Sequence, residues 1–403
     1  MTASSARSPA APGAVIVATP WYRPTVGGVV EVADRLLRML PAAGVETHLF
    51  VCDGPSCDGR IRPSGPPANV WQFPVPCSFF SRPGARTLAG TLIRGCRALW
   101  ELLRFVRARG VRTAILLYPV EHTWVFAVAG RLGAVRLIAS CHGNDVVKYG
   151  DYRRPGRWLL RCVLGSSDAI TVCADHLRQA IAGILPRRRP PVRLIPNCVD
   201  ADSFTPPARR KRTSAAAPTV VHVSNFAPKK RAVDIVEAFA MPAVPPASRL
   251  VMVGAGPDLP RAAERAGSLA LGDRVEFVGA VEDVRPYLRR ADLFVLASES
   301  EGDPLVLLEA MACGLAWVST PWGAAASLPA GECGLLVPPR SPDRLAAAMG
   351  ELLSDPRRLR AMGRRGRRRV ERDYTQAAYL RRHLELIQQL DRRPETRFSA
   401  RPI

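Results

Sequence analysis

The chain has 403 residues, 47% of them apolar, and a formal net charge of +22. That length and apolar content suit two domains, each with its own core. No apolar run approaches the roughly 18–20 residues of a membrane span, and no C-x2-C occurs among the ten cysteines, which removes the common zinc and redox-pair patterns.

Scattered cysteines in apolar runs are expected to stay reduced in a cytoplasmic compartment. The charge has two readings. One is a nucleic acid or an anionic membrane surface as partner. The other is arginine-rich usage without a binding role, because Lys148, Lys211, Lys229 and Lys230 are the only lysines.

In chain order, residues 1–13 are small, polar and Pro-rich and read as a disordered tail. Val15–Thr19 reads as a strand, too short for a signal-peptide core. Gly27-Gly28 precedes a helix over Glu31–Leu40; glycines there let backbone and helix amides approach a ligand. Strands follow at His48–Cys52 and Val70–Val75, on either side of a Pro/Gly-rich segment, Gly54–Pro67. Thr87–Arg109 reads as an amphipathic helix with Arg outward. Thr113–Tyr118, Arg136–Ser140 and Ala169–Val172 read as strands. Thr123–Leu132, Trp158–Leu164 and His176–Ile184 read as helices, and Arg193–Asn197 closes the half. Residues 206–217, Pro-rich, charged and aperiodic, read as a linker.

The alternation then restarts. Strands are expected at Thr219–Val223, Arg249–Val253, Val275–Phe277, Leu293–Ala297, Ala316–Ser319 and Gly334–Val337. Helices are expected at Ala232–Phe239, Arg261–Ala266, Val284–Ala291, after Pro304, and at Arg344–Leu353. Such alternation predicts parallel sheets covered on both faces. The expected architecture is α/β: two Rossmann-like domains, 14–205 and 218–372, facing across a cleft. Ligands in such sheets lie beyond the carboxyl ends of the strands. Residues 373–390 are expected to form a helix packing back on the first domain, and 391–403 a loose tail. Residues 357–372 carry nine arginines; the segment reads as a solvated basic helix or as a peripheral contact for anionic lipid. Few aromatics interleave the basic stretches, which argues against nucleic acid as partner.

Several motif matches carry no weight. Asp200-Ala201-Asp202 fits a metal-holding D-x-D but does not sit between a strand and a nucleotide loop. Gly254-Ala255-Gly256 begins like a dinucleotide fingerprint but lacks its third glycine. Three signals remain. His142 follows a strand end. Ser224–Arg231 (SNFAPKKR) sets Lys229, Lys230 and Arg231 at a helix start, and a lysine is a mobile point charge suited to a diphosphate. Ser298–Gly314 (SESEGDPLVLLEAMACG) runs from a strand through a tight turn into a helix, with Glu301 at the turn and Glu309 in the helix. Two carboxylates repel phosphate and suit hydroxyl groups of a ribose or hexose.

The last stretch resembles the E-x7-E signature of the retaining GT-B glycosyltransferases of family 4. PTVGGVVEVADRL is similar to that family's glycine loop, HGND to its H-G-x-D, and IPNCVDADSF to its I-P-N-G-V-D-x-x-x-F, which accounts for the D-x-D. The resemblance covers about Val15 to Leu390. It implies that Glu309 binds ribose hydroxyls, and that Glu301 faces the donor sugar with the backbone of Gly302, Asp303, Leu305 and Val306. His142 would contact the sugar near its reacting carbon, Gly28 would approach the diphosphate or the acceptor, and Lys230 would hold the pyrophosphate. The loop at Val281 would hold the base. Two positions depart from the pattern. In place of V-G-R-L-x3-K-G stands VSNFAPKKR, so Asn225 replaces an arginine and Arg231 a glycine; Lys229 or Arg231 would restore the lost charge. This loop form is similar to that of the glucosaminyl-malate synthase subgroup. Ser327 stands where the family's G-G-x-x-E has its acid.

The expected function is retaining, metal-independent transfer of a hexosyl or N-acetylhexosaminyl group from a UDP- or GDP-linked sugar to an acceptor hydroxyl. The nucleotide-sugar is a co-substrate, and no cofactor is called for. The alternatives are a non-catalytic basic scaffold binding membrane or nucleic acid, and a nucleotide-sugar epimerase. The expected location is the cytoplasm, including the inner membrane face. The acceptor stays open.

Overall fold

The computed structural model describes residues 13–25, 27–53, 57–76, 85–185, 190–207, 217–328 and 331–392. Residues 1–12, most of the expected linker and the tail from 393 lie outside these. Contacts divide the chain into two units, Met1–Ile195 with Leu380–Ile403, and Pro196–Tyr379.

The first unit is built on eight strands: β1 (Ala14–Thr19), β2 (Thr47–Val51), β3 (Arg62–Pro63), β4 (Val70–Gln72), β5 (Val111–Leu117), β6 (Arg136–Cys141), β7 (Ala169–Val172) and β8 (Val192–Leu194). They lie in the order β3-β4-β2-β1-β5-β6-β7-β8, parallel except for β3 against β4. β1 is buried at every residue, as a central parallel strand covered on both faces requires. The helices are α1 (Gly28–Ala42), α2 (Ala85–Ala108), α3 (Trp124–Arg131), a single turn α4 (Asn144–Val147), α5 (Arg154–Ser166) and α6 (Asp175–Ile184). Helix α2 buries Ala98, Leu102 and Val106, one turn apart along one stripe. These join Phe126 of α3 and Val163 of α5 in a core against Ile16, Ala18, Ala114 and Leu116. The layer α2–α3–α5 therefore covers one face of the sheet, with α3 between its two neighbours. Residues from Leu380 return to this unit, where Asp391 accepts a hydrogen bond from the Gly13 amide.

The second unit has six strands, all parallel: β9 (Thr219–Val223), β10 (Arg249–Val253), β11 (Val275–Gly279), β12 (Leu293–Leu296), β13 (Ala316–Ser319) and β14 (Gly334–Leu336), ordered β11-β10-β9-β12-β13-β14. Its helices are α7 (Ala232–Ala240), α8 (Leu259–Ser268), α9 (Arg285–Arg290), α10 (Leu305–Ala312), α11 (Ala324–Ser327), α12 (Pro342–Ser354) and α13 (Pro356–Asp373); α14 (Gln376–Asp391) spans the division. Along β12 the residues alternate between two cores. Leu293 and Val295 meet Ile235, Phe239 and Met349, whereas Phe294 and Leu296 meet Leu288, Leu307 and Met311. That is the period-two pattern of a strand buried on both faces.

The expected end of the first domain at 205 lies later than the contact division. Pro196–Thr205 is held by the second unit. The Val199 amide donates to the Tyr374 carbonyl at 2.9 Å. Arg289 donates to the carbonyls of Ser203 and Thr205 at 2.8 and 3.1 Å. Arg367 donates to those of Ala201 and Phe204 at 2.9 and 2.6 Å. Arg367 also reaches the Ala312 carbonyl at 2.8 Å, placing a cation at the C-terminus of α10, where the helix dipole favours it. Part of the charge on α13 thus serves the fold. Arg365 likewise donates to the Glu332 carbonyl at 2.6 Å, and Arg369 pairs with Asp373 at 2.6 Å. Among the described residues, no helix is long and apolar enough to cross a membrane.

Candidate active site

In the six-stranded sheet, β10 and β12 lie on opposite sides of β9, so the topology reverses between β9 and β12. A crevice opens beyond the carboxyl ends at such a reversal. The two loops leaving those ends are Ser224–Arg231 and Ala297–Pro304, the two stretches singled out in the sequence. They are joined backbone to backbone, the Glu299 amide donating to the Lys229 carbonyl at 2.8 Å.

Their side chains meet as well. Glu301 is buried, and one carboxylate oxygen, Oε1, accepts hydrogen bonds from Lys230 Nζ and from Ser298 Oγ, the latter at 2.8 Å. Lys229 Nζ lies 3.7 Å from the other, Oε2. Burial alone would raise the Glu301 carboxyl; the two lysines and the hydrogen bonds from Lys230 and Ser298 outweigh it and hold the group below the ordinary glutamate range. Glu301 is therefore an anion at neutral pH. The Ser298 carbonyl is itself fixed, accepting from Thr320 Oγ1 at 2.8 Å and Trp322 Nε1 at 3.1 Å. Pro304 caps α10, whose first-turn residues Leu305 and Val306 are half-buried, as is Glu309 one turn further along. Leu305 and Glu309 share a face, being four residues apart.

The remaining loop residues hold this geometry. Asp303 is buried; its carboxylate accepts from the Asn197 amide at 3.0 Å and its carbonyl from Asn197 Nδ2 at 3.1 Å. Gly323, with φ of 57°, lies against this turn, and a Cβ there would sit 2.6 Å from Asp303 Cα. Gly254 and Gly256 lie against the other loop, where a Cβ would come 1.8 Å from the Ser224 carbonyl and 1.9 Å from that of Asn225. The G-A-G motif is thus a packing device for the Ser224–Arg231 loop. Buried His222 supports the same loop. Its Nδ1 donates to the Val295 carbonyl at 3.0 Å, and its Nε2 pairs with Ser224 Oγ at 2.8 Å. Burial pushes His222 down to about 4, so it is neutral.

Arg231 is engaged by neighbouring carboxylates. It is the N-cap of α7 in the left-handed region, φ 54° and ψ 43°, which favours glycine. Its guanidinium is bound by the Asp234 carboxylate at 2.9 and 2.8 Å and lies 3.4 Å from Glu299. Two carboxylates therefore already hold the charge that was assigned to a diphosphate. Asn225 is exposed, its Oδ1 accepting from the Ala227 amide at 3.5 Å. Val281 is half-buried against the core of Phe294 and Leu307. Asp200 accepts from the Asp202 amide, the Ser203 amide and Ser203 Oγ at 3.1, 3.1 and 2.8 Å; its carboxylate closes a turn.

In the first unit the topology reverses between β1 and β5. The loop after β1 carries Tyr22 and Arg23, both hydrogen-bonded to buried Asp34 of α1. This clamp gave no sequence signal. Gly28 opens α1, and a Cβ at Gly27 or Gly28 would meet nothing within 4 Å. His142 follows β6. Its Nε2 lies 3.0 Å from Ser140 Oγ, and burial followed by the nearby His383 pushes it down to about 4. The turn depends on Asp145, whose carboxylate accepts from the Gly143 amide at 2.7 Å and the His142 amide at 3.1 Å. Burial pushes Asp145 up to about 6, against those hydrogen bonds.

The predicted residues of the second unit other than Val281 thus lie on the two loops at the reversal between β9 and β12 or on α10, and Lys229, Lys230 and Glu301 are brought into contact; Val281 follows β11, the edge strand two places from β9. Sequence reading missed that Lys230 and Glu301 are partners, missed the support from His222, and gave no supporting role to Ser298 and Asp145, which lie inside stretches it singled out.

Comparison with known proteins follows this division. Residues 27–198 match the family described as glycosyl transferase 4-like domain, and 217–355 that described as glycosyl transferases group 1. The chain is 28% identical over 359 residues to the N-acetyl-alpha-D-glucosaminyl L-malate synthase of Bacillus anthracis, covering 86% of this chain and 90% of that protein. It is 31% identical over 286 residues to a GDP-mannose-dependent alpha-(1-6)-phosphatidylinositol monomannoside mannosyltransferase of Mycobacterium tuberculosis, covering 64% and 73%. Among solved structures, sucrose-phosphate synthase from Thermosynechococcus elongatus superposes with a TM-score of 0.73 at 24% identity, over 94% of this chain and 99% of that one. Anabaena HepE in complex with UDP gives 0.75 at 15%, over 93% and 100%. The two parallel sheets, the residues at their reversals and these likenesses agree: the chain belongs to the glycosyl transferases group 1, family 4, with the GT-B fold.

Proposed function

We propose that the protein moves a hexosyl or N-acetylhexosaminyl group from a nucleoside-diphosphate sugar to an acceptor hydroxyl with retention of anomeric configuration. The observation that carries this reading is the Lys230–Glu301 pair between two loops at a strand-order reversal. An ammonium group has three donors, so Lys230 can keep Glu301 and still hold a phosphate oxygen. Lys229 lies beside it, and the first-turn amides of α10 supply donors aimed at negative charge. Glu301, an anion with a second carboxylate oxygen, accepts from a sugar hydroxyl, and Glu309 from the ribose. HepE, a structural neighbour, is described in complex with UDP, and the mannosyltransferase relative as GDP-mannose-dependent; a UDP- or GDP-sugar donor is in keeping with both.

The reaction breaks the bond between the anomeric carbon and the leaving phosphate oxygen. The acceptor oxygen bonds to that carbon on the same face, and its proton passes to the departing phosphate. Stabilising the charge that develops on the leaving group is the chief catalytic effect, assigned here to Lys230, Lys229 and the α10 amides without a metal ion. In the first unit, neutral His142 and the open Gly27–Gly28 backbone are the proposed ligand contacts.

The test is a screen of nucleotide-sugars for turnover, followed by proton NMR of the product anomer. Retention is expected, and Lys230→Ala is expected to lower kcat/KM about 100-fold or more. An inverted product, or full turnover in that variant, would overturn the reading.

A further inference from the structure

Five large apolar side chains stand exposed among the described residues, and four of them lie on two helices of one layer. On α2, Leu92, Ile93 and Trp100 are 61%, 62% and 56% exposed; on α5, Trp158 is 62% exposed. Exposed single hydrophobics are ordinary, but clustered ones mark interaction surfaces.

Spacing orders the cluster further. On α2 the outward stripe reads Ile93, Arg97, Trp100, Arg104, in steps of four, three and four, with Arg97 and Arg104 also exposed. Those steps put all four on one helix face. The Arg104 guanidinium lies 5.0 Å from the Trp100 ring centroid. Helix α5 repeats the arrangement: Arg154 stands four residues before Trp158 and Arg161 three after, both exposed. Each tryptophan is thus bracketed by arginines one turn to either side. Both helices pack against α3 and share one core on the same face of the sheet. No acidic residue occurs in α5, and Glu101 of α2 is half-buried.

We infer that the α2–α3–α5 layer docks on an anionic lipid bilayer. Tryptophan has an apolar ring and a polar N–H, which suits the headgroup boundary. Arginine stems lie along apolar surface while their heads meet lipid phosphates. The expected contact at 357–372 is less suited, because Arg365, Arg367 and Arg369 of α13 already serve internal partners. A second copy of the chain or an acidic protein would also accept an apolar face, but a positive rim on both helices favours a phosphate-bearing sheet over a like-charged copy. This inference does not depend on the donor chemistry.

The experiment is sedimentation of the full chain with vesicles of phosphatidylcholine alone or of equal parts phosphatidylcholine and phosphatidylglycerol. Binding is expected to the mixed vesicles only and to fall with salt. Trp100→Ser with Trp158→Ser is expected to abolish most of it. Arg97→Gln and Arg104→Gln should each weaken partitioning about fivefold, the effect of one basic residue near an anionic surface. Because all four side chains are exposed, melting temperatures should match wild type, and the arginine variants give the answer should the tryptophan pair fold poorly. Substituting Arg360, Arg364 and Arg368 of α13 should leave binding intact. No binding, equal binding to neutral vesicles, loss only with the α13 set, or a dimer in solution that the tryptophan variants dissociate would each overturn the inference.

Discussion

Arg231 occupies a left-handed position that glycine takes at no steric cost and other residues at about 1 kcal/mol or more. Its ion pairs with Asp234 and Glu299 offset that strain. Arg231→Ala keeps the strain and loses the pairs; Arg231→Gly loses both. The glycine variant should therefore be more stable than the alanine variant by about 1 kcal/mol in denaturant unfolding. If Arg231 held the diphosphate, both would lose donor affinity as severely as Lys230→Ala; smaller losses are expected, because its guanidinium is already engaged. The sequence marked 231 as a departure from a glycine without revealing the compensation, which needs Asp234 and Glu299 in space. The pairing of Lys230 with Glu301 was hidden for the same reason: 71 residues separate them, and only the parallel register of β9 beside β12 brings their loops together.

Protonation is read at this scale too. His222 is held near 4, whereas an unfolded histidine titrates near 6.5, about 2.5 units higher. Between those values the unfolded chain binds a proton that the folded one refuses. Stability is then full above about pH 6.5 and falls as pH drops toward 4, by on the order of 3 kcal/mol. Lys230 and Glu301, the charged groups facing this ring, act in opposite directions. His142 contributes in the same sense. Asp145, raised to about 6, opposes it: its stabilisation is present below the unfolded value and lost as pH rises through 6. Thermal melts of His222→Gln should show a shallower acid decline than wild type, and an unchanged slope would refute the assignment.

At the scale of elements, hydrophobic periodicity located nearly every strand and helix, because central parallel strands are uninterrupted apolar runs and helices bury one stripe. It missed β3, two exposed residues in a Pro/Gly-rich segment, the three-residue β8, and the single turns α4, organised by Asp145, and α11. None has length enough to show a period. Glycines divide into two kinds that composition does not separate. Gly254 must be glycine, since a Cβ would strike the Ser224 carbonyl; Gly254→Ala should cost about 3 kcal/mol or more in unfolding free energy. Gly28 has open space around it. Gly28→Ala should fold as well as wild type or better, alanine being the stronger helix former by up to about 1 kcal/mol, yet lose turnover. Equal turnover would show that no ligand approaches that backbone.

For the whole molecule, the two-domain α/β plan and the residues at the second sheet's reversal were legible in the sequence. The division near 195 was not, because Pro196–Thr205 is tied to the second unit by Arg289 and Arg367, far along the chain. The net charge of +22 serves more than one purpose: backbone carbonyls at helix ends, carboxylates around the β9 and β12 loops, and the proposed lipid-facing layer. The central claim is that the second unit binds a nucleoside-diphosphate sugar through Lys230 and Glu309. Isothermal titration of wild type, Lys230→Ala and Glu309→Ala with UDP, GDP and their sugars tests it most directly. One nucleotide series should bind the wild type, with each variant about 10–100-fold weaker, the effect of a lost charge-assisted hydrogen bond. No binding to any of them, or equal binding by all three proteins, would contradict it.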